Sequence, residues 1–134
     1  MFLNQLTEKE KMAFANMFIH IAEIDNDYSP DEFDRFQDYL KEMRIYFFDY
    51  EKALSMKEVT EIFKNATPKS KKIAVFEALD IVSADGFIDE REINLLYDFA
   101  KNIGIDDKTT SFLVDRFNKI SEAEIKINDI IFEE

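Results

Sequence analysis

Met12-Ala13-Phe14-Ala15-Asn16-Met17-Phe18-Ile19-His20-Ile21-Ala22 is interrupted only by Asn16 and His20. A surface helix keeps its apolar residues to one stripe, so a segment apolar almost all round must be buried. Ile73-Ala74-Val75-Phe76-Glu77-Ala78-Leu79-Asp80-Ile81-Val82 reads the same way. Neither run is long enough to span a bilayer. These two segments are therefore expected to form the buried centre of an all-α fold, with the other helices packed around them.

The neighbouring segments have the complementary pattern. Phe33, Phe36, Tyr39, Leu40 and Met43 recur at three- and four-residue spacing among charged residues, which defines an amphipathic helix. Ile93, Leu96, Tyr97, Ala100 and Ile103 repeat the arrangement in the second half. Only two Gly and two Pro interrupt the chain, so helices are expected throughout. Capping boxes, in which a hydroxyl and a Glu three residues later satisfy each other's backbone amides, stand at Thr7…Glu10, Ser29…Glu32, Ser55…Glu58 and Ser121…Glu124. Asp89…Glu92 is an Asp-headed version, Thr67-Pro68 places Pro at a first helical position, and Gly104 reads as a C-cap. Together these signals predict helices near 8–24, 30–43, 47–54, 56–65, 68–84, 90–103, 107–119 and 122–132. The expected architecture is a seven- to eight-helix bundle forming one domain over residues 1–134.

Sliding the chain by 60 residues aligns 21–45 with 81–105 without a gap. The identical pairs include Ile21/Ile81, Asp25/Asp85, Glu32/Glu92, Asp38/Asp98, Lys41/Lys101 and Ile45/Ile105. Asn26 falls on Gly86, the residue types that best tolerate a left-handed backbone. Each half, about 7–45 and 67–105, thus reads as buried helix, acidic turn, amphipathic helix. The expectation is a pseudo-twofold internal repeat around the two central helices, since stacked arrays generally need three or more units.

The turns themselves, Glu23-Ile24-Asp25-Asn26-Asp27-Tyr28-Ser29-Pro30-Asp31-Glu32 and Ser83-Ala84-Asp85-Gly86-Phe87-Ile88-Asp89-Glu90-Arg91-Glu92, gather oxygen ligands of the kind that suit calcium, magnesium or manganese. The second resembles the last eight positions of an EF-hand loop. Its first and third positions, however, would be Ile81 and Ser83, which removes the first ligating carboxylate. Helix capping accounts for Ser29, Glu32, Asp89 and Glu92 with no ion present. The candidate ligands for a divalent cation are Asp25, Glu32, Asp85 and Glu92, with Glu23, Asp27 and Asp89 beside them. Two readings stand: caps alone, or caps with an added metal role.

Composition narrows the partners. A formal net charge of −12 opposes binding to nucleic acid, whose affinity comes mainly from Lys and Arg on phosphates. The apolar content, 46% hydrophobic with 14 Phe, separates this chain from acidic disordered ones. With no Cys there is neither thiolate chemistry nor a Cys-ligated metal, and no glycine-rich phosphate loop occurs. No basic n-region and apolar stretch marks a signal peptide, so a cytoplasmic location without membrane insertion is expected. His20, the single histidine, lies three residues before Glu23, and its repeat mate is Asp80. It reads as a satisfied core histidine, with a hydrogen bond to Asp80 as one possible arrangement and a His20/Glu23/Asp80 metal centre as another. The aromatic segment Tyr46 to Tyr50 suits core packing, or a partner site if exposed.

Ala84-Asp85-Gly86-Phe87-Ile88-Asp89-Glu90-Arg91-Glu92 resembles the turn of the bacterial tellurite-resistance TerB family, Ala-Asp-Gly-x-hydrophobic-x-x-x-Glu. The pattern extends over roughly 8–120. The resemblance implies an all-α bundle of seven or eight helices, a fold also found at the start of membrane-linked DnaJ-like proteins. It implies a non-enzymatic binding or adaptor role in stress response, with metal binding by the motif acids, here Asp85 and Glu92, and Asp25 and Glu32 in the first half. The first copy departs from the motif at Ile24-Asp25-Asn26-Asp27-Tyr28. An unknown protein partner or a homodimer is expected. The alternative to a cation-binding role is a metal-free interaction module that presents an acidic or aromatic surface.

Overall fold

Local capping chemistry sets most helix starts. In the computed structural model, which describes residues 1–23, 30–83 and 90–133, Thr7 accepts from the Glu10 amide and the Glu10 carboxylate accepts from the Thr7 amide. This opens α1 (Glu8–Ala22). The same reciprocal box at Ser55 and Glu58 opens α3 (Met56–Lys64). Thr67 Oγ1 accepts from the Ser70 amide at the start of α4 (Pro68–Ser83). The remaining helices are α2 (Pro30–Glu42), α5 (Glu90–Asn102) and α6 (Asp107–Ile131), the last capped by Asp106, which accepts from the Thr109 amide at 2.8 Å. The Ser29 and Asp89 caps lie outside the described residues.

The two apolar segments occupy the centre as expected. Ala13, Phe14, Met17, Phe18 and Ile21 of α1 are buried, as are Ala74, Val75, Ala78, Leu79 and Val82 of α4. Helices α2 and α3 pack on α1, and α5 and α6 pack on α4, with α1 and α4 in mutual contact. Among the described residues the fold is all-helical and contains no strand.

Two expectations fail. Six α-helices form among the described residues instead of seven or eight, because 107–119 and 122–132 are one continuous helix. Ser121…Glu124 has the spacing of a start signal, but no Gly or Pro between Ile105 and Ser121 ends the preceding helix, so Ser121 is simply interior. Nor is 47–54 an α-helix: only Tyr50–Lys52 closes, as a single 3-10 turn. There Phe48 is buried edge-on against Phe36 (ring centroids 5.2 Å) and Tyr50 (5.0 Å), and the backbone at Asp49 beside it is extended.

Helices α2 and α5 end in the same way. Arg44 and Gly104 have positive φ, 59° and 94°. Ile45 N–H donates to Leu40 O and Ile105 N–H to Ala100 O, both at 2.8 Å, while Arg44 N–H donates to Lys41 O and Gly104 N–H to Lys101 O. Both are Schellman motifs, and their members stand 60 residues apart. Only the first places a side chain in the left-handed region, at a steric cost that glycine avoids. Arg44→Gly is therefore expected to raise stability by about 0.5–1 kcal/mol, and Gly104→Ala to lower it by about 1 kcal/mol, read as opposite shifts in thermal midpoint.

Candidate functional site

The acidic segments lie in sequence between the central helices and the amphipathic ones. Asp25, Asp27, Asp85 and Asp89 lie outside the described residues. Glu23 is the exposed C-cap of α1, directly before the first turn. Glu32 and Glu92 each occupy the third position of their helices, α2 and α5, and each is half-buried. A carboxylate there faces the free amides and the positive end of the helix dipole. The donor set on both sides of each turn is oxygen only, the chemistry that a hard divalent cation takes. Among the described residues no three His, Asp or Glu side chains converge on a metal position.

The end of α4 meets the middle of α2. Tyr39 Oη donates to Asp80 Oδ2 at 2.5 Å, and Arg35 Nη2 donates to the Asp80 carbonyl at 2.8 Å. Burial, reinforced by the Asp80 charge, pushes the Tyr39 hydroxyl far above the usual phenol range, so it remains a donor. Arg35 stands one turn after Glu32. The helix that leads into the second acidic turn is thus tied to the helix that leaves the first.

These bonds also settle His20. Its Nε2 lies 2.7 Å from the Leu54 carbonyl, an acceptor only, so Nε2 carries the proton and donates. Asn16, one turn earlier, accepts from the Leu54 amide through Oδ1 at 2.8 Å and donates through Nδ2 to Met12 O at 2.8 Å. The two polar interruptions of α1 therefore clamp both backbone groups of one residue in the linker between α2 and α3. The His20–Asp80 bond is not made, because each group has a different partner. His20 is a satisfied histidine of half-buried character.

Sequence reasoning missed a second polar cluster. The Met1 ammonium lies 3.0 Å from both carboxylate oxygens of Glu42 and 3.1 Å from Oε1 of Glu77, while Phe2 N–H donates to Glu77 at 2.6 Å and Leu3 N–H to Glu42 at 3.0 Å. Glu77 is only 4% exposed, a charge that burial would penalise if it stood alone. Burial opposes the ammonium as well, but the bonds and charges of Glu42 and Glu77 more than offset it and raise its pKa above 8.0. The one readable signal was Glu77 itself, an acid inside an apolar helix.

Beside this cluster a groove of about 650 Å³ opens between the N-terminal segment, α4 and α6. Phe2, Ile73, Phe76, Leu113 and Ile120 line it, and Lys69 and Lys72 stand at it too. Of the aromatic linker, Phe48 belongs to the core, whereas Tyr46 and Phe47 are 92% and 79% exposed. No described helix is long and apolar enough to cross a membrane.

Nothing among the curated proteins or the solved structures matches the chain. The family described as tellurite resistance protein TerB does, over residues 11–115, from the middle of the first turns of α1 to the first half of α6. That span includes α4 and all but the first three residues of α1, both acidic segments and the linker clamp, and this all-helical chain belongs to the TerB family.

Proposed function

We propose that this TerB-family domain is a non-enzymatic, cytoplasmic binding or adaptor module of a stress response, and that its acidic turns hold a divalent cation. Calcium, magnesium and manganese are the candidates. The observation that carries this reading is the duplicated frame. In both halves a buried helix, α1 or α4, leads through a turn rich in carboxylates to an amphipathic helix that ends in the same Schellman motif. The equivalence of the two ends supports reading the halves as copies of one unit. Asp25, Glu32, Asp85 and Glu92 would be the principal ligands, with Glu23, Asp27 and Asp89 contributing. A bound ion would offset the mutual repulsion of these carboxylates and fix the two helices of each half relative to each other.

Thermal unfolding in calcium, magnesium or manganese tests the proposal, because a ligand bound only by the folded state must stabilise it. At an ion concentration a hundredfold above Kd the gain is about 2.7 kcal/mol. The gain should disappear or shrink strongly in Asp85→Asn.

A second reading is a metal-free interaction module. It is favoured by the exposure of Tyr46 and Phe47 in a linker whose neighbours Phe48 and Leu54 are firmly anchored. A rigid base that presents two free aromatic rings has the form of a small protein-docking site.

A further inference from the structure

Helix α6 outruns the domain it packs on. Up to Phe117 its inward side chains, Thr110, Leu113, Val114 and Phe117, meet the core. The same helix line continues as Ser121, Glu124 and Asn128, so it turns polar where the core ends. Four apolar residues fall on an adjacent line instead, while Ile125 lies on the other side of the helix. Ile120, Ile127, Ile130 and Ile131 share one side of the helix and are 37%, 54%, 73% and 64% exposed. A row of isoleucines over the last three turns of a helix is an apolar patch of the kind that marks an interaction surface.

Ile120 belongs both to this row and to the groove lined by Phe2, Ile73, Phe76 and Leu113, so the two apolar surfaces are continuous. Their charges are opposite. The last part of α6 carries Glu122, Glu124 and Asp129, followed by Glu133, against Lys126 alone. Lys69 and Lys72 stand at the groove, and Lys108 is the second residue of α6. Hydrogen bonds from Thr109 chiefly, with the charges of Lys108 and Lys72 behind them, hold the Asp106 carboxyl below the usual range.

We propose that two copies of this chain pair through antiparallel α6 helices, the Ile127–Ile131 face of each entering the other's groove. With a twofold axis between Ile120 and Ala123, Ile130 and Ile131 of one copy come opposite Leu113 and Phe112 of the other. The acids Asp129 and Glu133 then approach Lys72 and Lys108 of the facing copy. Such an interface is isologous, so every contact is made twice and the assembly closes at two. Four isoleucines and Phe112, itself 57% exposed, together with the groove walls form the apolar part of the contact.

This inference is independent of the cation reading. Sedimentation equilibrium of the full chain, from about 1 to about 100 µM, should give twice the 15.9 kDa chain mass at the upper end. Ile127→Asp with Ile130→Asp should weaken association more than tenfold and leave helical content and cooperative unfolding intact, since both side chains are exposed within one copy. Lys72→Glu should weaken it too, and Asp129→Lys in the same chain should restore part of the loss. A chain that is monomeric throughout the range overturns the proposal, including one whose groove instead takes up a fatty acid or an added amphipathic peptide. So does a dimer that survives the double aspartate substitution.

Discussion

Replacing Phe18 by alanine should lower the unfolding free energy by about 3–5 kcal/mol, measured by urea titration. The ring is 1% exposed and sits 5.1 Å from Phe36 and 5.4 Å from Tyr39, centroid to centroid. Those rings are held in turn by others: Tyr39 meets Phe14 at 5.9 Å, and Phe36 meets Phe48 at 5.2 Å. Aromatic planes fixed from α1, α2 and the linker cannot relax into the space a lost ring leaves. The cost therefore includes the cavity as well as the transfer of the side chain. Phe47→Ala removes the same atoms from a residue that is 79% exposed and should change stability by no more than about 0.5 kcal/mol. Equal losses in the two variants would contradict the placement of this aromatic cluster at the centre.

Asn16→Leu should cost about 2–3 kcal/mol even though it makes α1 more apolar and keeps the same branched heavy-atom shape. Asn16 is 2% exposed, and its amide oxygen accepts from the Leu54 N–H at 2.8 Å. Leucine leaves that donor without its partner in a partly buried position, and an orphaned backbone amide costs more than the packing returns. The clamp is shared with His20, so the linker should loosen locally before the bundle unfolds. Amide hydrogen exchange at Leu54 and Ser55 would then accelerate more than exchange in α4. A variant as stable as the parent would show that the linker needs no such tether.

The clamp also marks where the sequence is silent. That Asn16 and His20 break an apolar helix is visible at once, but their partner is the backbone of a residue 38 and 34 positions away, which no periodicity encodes. The Met1–Glu77 contact is hidden for the same reason. What can be read is what is local or periodic: the boxes at Thr7 and Ser55, and the all-round apolarity of α1 and α4. Ser121 shows the limit of local reading, since a capping box acts only where the chain has left the helix, and nothing before Ser121 makes it leave. Tyr46 to Tyr50 shows another, because anchoring of Phe48 against Phe36 decided the backbone there. Of the candidate ligands, Glu32 and Glu92 stand at the helical positions that their spacing implied. The four aspartates fall outside the described residues.

Calorimetric titration of calcium, magnesium and manganese into the parent chain and into Asp85→Asn tests the central claim most directly. The account predicts saturable heat for at least one ion in the parent, a matching rise in thermal midpoint, and loss or marked weakening of both in the variant. No heat and no thermal stabilisation at millimolar ion would contradict it, and would leave the duplicated carboxylates with helix capping as their whole role.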